Sequence, residues 1–175
     1  MNGPQRILIY TGDGKGKTSA ALGTALRACG NGIRVLILQF IKADDRTGEL
    51  AAVRDLAGID MIQGGLGFVP PPSNPKFVEH RDAAQETLLK AREVLKSDKY
   101  DMIILDEACV AVSLGLIQED DLIAAIAEAR PELYLIMTGR NATPRLIALA
   151  DTVTEMLPIK HAMSQGRKAQ KGIEY

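Results

Sequence analysis

Cysteine is scarce in this chain: Cys29 and Cys109 are the only two in 175 residues. Two cysteines cannot build a disulfide framework. Both lie in apolar helical contexts, which suit small core residues better than nucleophiles. Histidine is equally sparse, and His80 and His161 stand too far apart in sequence to form a metal signature. No Ser/His/Asp set and no glycosidase-like acid pair can be assembled. Net charge is only −1, which gives no reason to expect nucleic acid or an anionic membrane as a partner. No apolar run is long enough to span a bilayer. The N-terminus, Met1-Asn2-Gly3-Pro4-Gln5-Arg6, lacks the charged-then-apolar order of a secretory signal. A cytoplasmic protein with reduced thiols is therefore expected. Repeats and dividing linkers are missing too. With 46% hydrophobic and 25% charged residues, the composition is that of an ordinary globular protein. One domain over residues 1–175 is expected, long enough to bury a proper core, with residues 160–175 a polar, basic tail.

What the chain does have is a glycine-rich stretch at its start. Tyr10-Thr11-Gly12-Asp13-Gly14-Lys15-Gly16-Lys17-Thr18-Ser19 follows the apolar run Arg6-Ile7-Leu8-Ile9 and precedes Ala20-Ala21-Leu22-Gly23-Thr24-Ala25-Leu26. Strand, glycine-rich loop, then helix is the context a phosphate-binding loop requires. Glycines let successive backbone N–H groups curl toward one anion, and the helix adds the positive end of its dipole. Lys17 would bring a point charge to the terminal phosphates, and the Thr18 hydroxyl would ligate Mg²⁺. Gly12, Asp13, Gly14, Lys15, Gly16 and Ser19 complete the candidate nucleotide site. The strict pattern G-x-x-x-x-G-K-[ST] would put glycine where Thr11 stands, with Gly12 one place later.

Short apolar runs then alternate with helical patterns, which predicts crossovers and a mostly parallel α/β sheet of about six strands, with helices on both faces, of the P-loop NTPase (RecA-like) type. Strands are predicted at about 6–10, 34–40, 59–63, 100–105, 133–137 and 152–157. Helices are predicted at about 17–28, 49–57, 76–96, 108–114, 118–129 and 143–150, with Asn74 as cap and Pro75 at the start of the long helix. Residues 41–48 form a polar loop with Lys42 just past a strand's carboxyl end, where open α/β sheets place their ligands. Residues 64–75, rich in glycine and proline, can continue neither a helix nor a central strand. A loop of that length inside a compact domain is usually functional or disordered. Phe68 and Val69 within it either anchor the loop to the core or touch a ligand.

Asp106-Glu107 closes an apolar strand, the arrangement of a second nucleotide motif. A carboxylate there can hold Mg²⁺ directly or through water; the bland alternative is an acid pair at a helix start. Arg140, after the fifth strand, suits phosphate recognition as a planar permanent cation, or is a surface arginine in a turn. Residue chemistry by itself thus reaches a Mg-nucleotide protein. A small-molecule kinase or RecA-like ATPase and a non-catalytic regulatory module remain as alternatives. A kinase would usually need an arginine-rich lid, and residues 64–75 contain no arginine. The retained Lys17, Thr18, Asp106 and Glu107 argue against a dead site.

Four stretches together point further: the loop at Tyr10–Thr18; Gln39-Phe40-Ile41-Lys42; Leu105-Asp106-Glu107 with Thr138-Gly139-Arg140; and Lys160-His161-Ala162 with the tail Lys168-Ala169-Gln170-Lys171-Gly172-Ile173-Glu174-Tyr175. In that order and spacing the chain resembles the P-loop type of ATP:corrinoid adenosyltransferase over nearly its whole length. Threonine at position 11 is part of the likeness, and the tail is its most discriminating piece. The resemblance implies that a corrinoid Co(I) attacks the 5′ carbon of ATP, that the adenosyl group moves to cobalt, and that triphosphate leaves. It implies ATP lying in the loop in the reverse of the usual sense. It also implies Mg²⁺ (or Mn²⁺) on Thr18, Asp106 and Glu107, with Lys17 and Glu107 in catalytic roles. Phe68 and Val69 fall in the loop over the corrinoid. A homodimer and a separate flavin-type reductant that makes Co(I) are further implications. Well-known members carry Phe-x-Trp in that loop; here Phe68 is kept and Pro70 replaces the tryptophan. That change suits either a weaker displacement of the lower cobalt ligand or a corrinoid lacking a lower base.

Overall fold

Six short strands, each ending on a polar residue at or just past its carboxyl end, set the frame of the computed structural model, which describes residues 4, 6–44 and 47–173. They are β1 (Arg6–Thr11), β2 (Val35–Gln39), β3 (Ile59–Gln63), β4 (Met102–Asp106), β5 (Tyr134–Thr138) and β6 (Thr152–Glu155). The sheet order is β3-β2-β4-β5-β1-β6 and every pairing is parallel. All five residues of β2 and of β4 are buried. A strand covered on both faces reads as a continuous apolar run, as these do until the final Gln39 and Asp106.

The faces are covered by α1 (Lys17–Cys29), α2 (Gly48–Arg54), α3 (Phe77–Lys96), α4 (Ala108–Ser113), α5 (Glu119–Ala127) and α6 (Pro144–Leu149). On one face α1 buries Ala21, Ala25 and Ala28 against Ile37, Ile104 and Ile136. Residues spaced four and three apart share a helix face, and alanine at each lets α1 lie close to the strands. On the other face Leu88, Ala91 and Leu95 of α3 and Leu122 and Ile126 of α5 pack on Leu36, Leu38, Ile103 and Leu105. The two-sided α/β architecture expected from the alternating pattern is the one observed.

Several boundaries move. The second helix ends at Arg54 rather than near residue 57, because Ala57 and Gly58 already turn toward β3; Gly58 has φ +94° and its carbonyl accepts from Val35 N–H. Cys29 is half-buried at the edge of the core on the α1 face, and its thiol donates to the Ala57 carbonyl at 2.9 Å. Cys109 is buried, and burial pushes its thiol up to about 12. The long helix starts at Phe77: Asn74 forms a turn before it, its Oδ1 accepting from Lys76 N–H at 3.0 Å. The sixth strand stops at Glu155, where the chain leaves the sheet to support the loop after β1.

Candidate active site

The loop after β1 is held by the segment that follows β6. Gly14 N–H donates to the Met156 carbonyl at 2.6 Å, and Met156 N–H donates to Thr11 O at 2.8 Å. A Cβ on Gly12 would lie 2.5 Å from Met156 O, and one on Gly14 would lie 2.7 Å from the Met156 carbonyl carbon. Both positions therefore need glycine for close backbone packing, before any anion is considered. Lys17 is buried, and its Nζ donates to the carbonyls of Gly12 at 2.7 Å and Gly14 at 2.6 Å. Burial lowers the Lys17 pKa, against the nearby carboxylates of Glu107, Asp13 and Asp106, which raise it. Thr11, where the strict motif has glycine, has a use of its own: its Oγ1 accepts from Ala142 N–H at 3.2 Å, tying the start of the loop to the turn that carries Arg140.

Asp106 is fully buried at the end of β4. Its Oδ1 accepts from Thr18 Oγ1 at 2.8 Å and from Thr138 Oγ1 at 2.7 Å, and its Oδ2 accepts from Gln39 Nε2 at 3.0 Å. Lys42 Nζ is 3.8 Å from Asp106 Oδ2 and 2.8 Å from Glu49 Oε1. Burial by itself would depress the Lys42 pKa, but Asp106 and the Glu49 hydrogen bond together carry it above the ordinary lysine value. Glu107 sits at φ +61°, a left-handed conformation that costs roughly 1–2 kcal/mol outside glycine. Its N–H is pinned to Thr138 Oγ1 at 2.9 Å. Burial, with Asp106 next to it, raises the Glu107 pKa.

A cavity of about 420 Å³ opens beside these groups, with Lys15, Lys17, Thr18 and Lys42 on its walls beside Glu107 and Arg140. Backbone amides at a helix start, two or more cations and a hydroxyl make a seat for a polyphosphate. The oxygen donors suit a hard cation: Thr18 hydroxyl lies against the Asp106 carboxylate and Glu107 faces the same space. Among the described residues no cluster of three or more acidic, histidine or cysteine side chains could cage a metal alone. A Mg²⁺ ion, which keeps waters and takes phosphate oxygens, fits such a sparse set.

The comparisons with known proteins agree over nearly the whole chain. Residues 4–175 match the family model described as ATP:corrinoid adenosyltransferase BtuR/CobO/CobP. The chain belongs to this family. It is 36% identical over 169 residues to the corrinoid adenosyltransferase of Escherichia coli K12, covering 97% of this chain and 85% of the relative. It is 37% identical over 172 residues to the corrinoid adenosyltransferase of Pseudomonas aeruginosa, covering 97% and 83%. Corrinoid adenosyltransferase CobA of Salmonella typhimurium is 36% identical over 170 residues, covering 97% and 85%.

In this family member, Asp13, Gly14, Lys15, Gly16, Lys17, Thr18, Ser19, Glu107 and Arg140 all border the one cavity. Gly12 offers its carbonyl to Lys17 from just outside it, and Asp106 lies beneath, behind Thr18. Arg140 is largely exposed, its Nε 3.9 Å from Asp13 Oδ1. Phe68 and Val69 stand apart from the phosphate-loop cavity. Val69 is half-buried against the core, whereas Phe68 is 92% exposed. The two residues thus divide the alternatives open to them, one anchoring the loop and the other projecting from it. Sequence reasoning gave no site role to Glu49, Gly172 or Ile173, which also line the cavity. Gly172 and Ile173 belong to the tail that carries much of the family likeness; nothing in the local pattern around Glu49 singles it out.

Glu107 makes a testable contribution to stability. A carboxyl whose folded pKa is raised binds more protons in the folded chain than in the unfolded one, so stability falls as pH rises above the ordinary value of 4.5. Glu107→Gln removes that cost. Its melting temperature in the absence of ATP should match wild type in mild acid and exceed it by a few degrees at neutral pH. A variant that melts lower than wild type at every pH would show that the carboxylate is not disfavoured by its surroundings.

Proposed function

We propose that this family member moves the 5′-deoxyadenosyl group of ATP to the Co(I) of a corrinoid, with triphosphate as the leaving group. The observation that carries the reading is the kind of cavity the phosphate loop faces. It offers cations, amides and acidic oxygens, and no histidine or cysteine borders it among the described residues. Such a site binds and neutralises phosphates but lacks an evident nucleophile of its own. Co(I) supplies the electron pair itself. The Co–C5′ bond forms as the C5′–O5′ bond breaks, O5′ departs with the triphosphate, and cobalt becomes formally Co(III). The protein must then align two reactants and stabilise charge growing on the leaving group.

Lys17 and the amides of residues 14–18 are the groups for that second task, with Lys15 and Arg140 at the rim. Mg²⁺ (or Mn²⁺), held by Thr18 and Glu107 with Asp106 behind, would neutralise part of the phosphate charge. Asp106 orients the Thr18 hydroxyl, and Thr138 keeps Glu107 in its left-handed turn. ATP would lie in the reverse of the usual P-loop sense, its ribose carbon toward the corrinoid. Phe68, exposed on the loop after β3, is the contact we assign to the corrinoid, and Val69 fixes that loop. We further propose a single nucleotide-binding domain, a cytoplasmic location, a homodimer, and a separate flavin-type reductant to generate Co(I). No helix among the described residues is long and apolar enough to cross a membrane.

The test supplies ATP, Mg²⁺ and chemically reduced corrinoid, and looks for a light-sensitive Co–C product with triphosphate. Release of ADP and phosphate without that product would favour a kinase or ATPase instead. Phe68→Ala should leave the ATP Kd within about twofold and lower corrinoid conversion by roughly tenfold or more, the loss expected when an aromatic anchor worth about 1.4 kcal/mol or more is truncated. Wild-type turnover by Phe68→Ala with every corrinoid tried would move the corrinoid site elsewhere.

A further inference from the structure

The polar residues that close the strands form one continuous hydrogen-bonded row. Gln63, Gln39 and Asp106 stand in register across β3, β2 and β4. Gln63 Nε2 donates to Gln39 Oε1 at 2.9 Å, Gln39 Nε2 donates to Asp106 Oδ2 at 3.0 Å, and Asp106 Oδ1 accepts from Thr18 at 2.8 Å. The row has a fixed polarity. A carboxylate oxygen only accepts, so Gln39 must turn its amino group to Asp106. Its carbonyl oxygen then faces Gln63, which must answer with its own amino group. Gln39 is fully buried, so its amide cannot swap either partner for bulk water without cost.

A second link runs beside the first through the backbone. Gly64 N–H donates to Gln39 O at 2.9 Å and Gly67 N–H to Ile41 O at 2.7 Å. A Cβ on Gly65 would lie 2.2 Å from the Ile41 carbonyl. The loop that carries Phe68 is thus fastened to the exit of β2. That exit ends in Lys42, which reaches Asp106 and Glu49 at the phosphate-loop cavity.

We propose that Gln39 and Gln63 are positioning residues that couple the two substrate sites, so that ATP in the phosphate-loop cavity and corrinoid at the loop after β3 tighten each other's binding. The inference rests on the corrinoid reading above. A phosphate or metal drawn to Thr18 alters the donor that Asp106 Oδ1 receives. Asp106 answers by moving against Thr138, Gln39 and Lys42, and Gln39 passes the shift to Gln63 at the root of the Phe68 loop. Coupling of this kind is reciprocal: whatever factor corrinoid applies to ATP affinity, ATP applies to corrinoid affinity.

A Co(II) corrinoid tests this without turnover, because only the reduced cobalt attacks ATP. The ATP Kd is measured by titration calorimetry with the full chain, with and without a Co(II) corrinoid, and the corrinoid Kd with and without ATP. In wild type each ligand should tighten the other by about fivefold or more, the usual lower range of coupling. Gln63→Met keeps size, removes the donor and lies at a half-buried position, so the fold survives. It should leave the ATP Kd measured alone within about twofold and reduce the coupling to less than about twofold. Gln63→Glu, whose ionised carboxylate cannot donate to Gln39, should do the same at pH 8, and Gln39→Met should abolish coupling from the centre of the row. An undiminished coupling factor in Gln63→Met would overturn the inference. So would a wild type that binds both ligands with no mutual effect. A wild type that binds ATP but no corrinoid under any condition would instead overturn the corrinoid reading beneath it, so the two failures are distinguishable.

Discussion

Lys17→Ala is expected to lower kcat/KM for adenosyl transfer by ~10³-fold or more, a loss of about 4 kcal/mol in transition-state stabilisation. Lys17 is 8% exposed and its ammonium is aimed across its own loop at the Gly12 and Gly14 carbonyls. A cation held there has shed much of its hydration, so its attraction to phosphate oxygens is weakly screened. The charge it meets grows as the C5′–O5′ bond breaks, and an interaction that strengthens along the reaction raises kcat as well as affinity. Lys15, on the rim of the same cavity, should matter less: Lys15→Ala is expected to cost roughly tenfold, since an exposed charge is screened by water and salt. The lysine is not expected to hold the fold. Two hydrogen bonds are lost on truncation, while the cost of burying an ammonium disappears. Lys17→Ala should therefore melt cooperatively within a few degrees of wild type, and Co–C formation assayed beside triphosphate release separates the two effects. Activity above a tenth of wild type would remove Lys17 from the chemistry.

The second large effect concerns stability and comes from three glycines of one loop. Gly12 has φ +90° and a Cβ there would meet Met156 O at 2.5 Å. Gly14 has the clash without the unusual φ, its nearest atom being the Met156 carbonyl carbon at 2.7 Å. Gly16 has φ +102° but an added Cβ would come no closer than 3.5 Å to the Met156 Sδ. Alanine at Gly16 should cost backbone strain alone, roughly 1–2 kcal/mol. Alanine at Gly12 adds an overlap with main-chain atoms that cannot rotate away, and about 3 kcal/mol or more is expected in total. For a chain of this size that lowers the melting temperature by roughly 6–12 °C, against about 2–8 °C for Gly16→Ala. Gly14→Ala should fall between them. Equal losses at Gly12 and Gly16 in thermal melts would mean that the segment after β6 yields easily and does not brace the loop.

Much of this molecule is legible in its sequence. Strand, loop and helix around Lys17 follow from an apolar run, a glycine cluster and an alanine-rich period. Asp106-Glu107 follows from two acids that end an apolar run. These signals are local, so sequence carries them. The role of Gly12 and Gly14 was only half legible. Their freedom of conformation was evident, but their closest neighbour is Met156, far along the chain, and no local pattern announces that approach. Gln39 belongs to a stretch that carries the family likeness, yet neither it nor Gln63 shows a site role in the sequence, for the same reason. A single polar residue at the end of an apolar strand looks like a boundary until parallel register aligns it with its counterparts. The Asn74-Pro75 pair illustrates a competing rule: both residues favour a helix start, yet Asn74 uses its side chain for a turn and the helix begins at Phe77.

The brace between Met156 and the phosphate loop also has a meaning during synthesis. Translation delivers residues 10–19 well before residues 152–157, the segment that braces them. Among the described residues β6 pairs only with β1, and Gly14 N–H donates to Met156 O. A ribosome-bound chain that has not yet released residues 152–157 holds β1, α1 and β2 without the contact that shapes the loop. The loop is therefore shaped for a nucleotide only once residues 152–157 have joined the edge of the sheet beside β1.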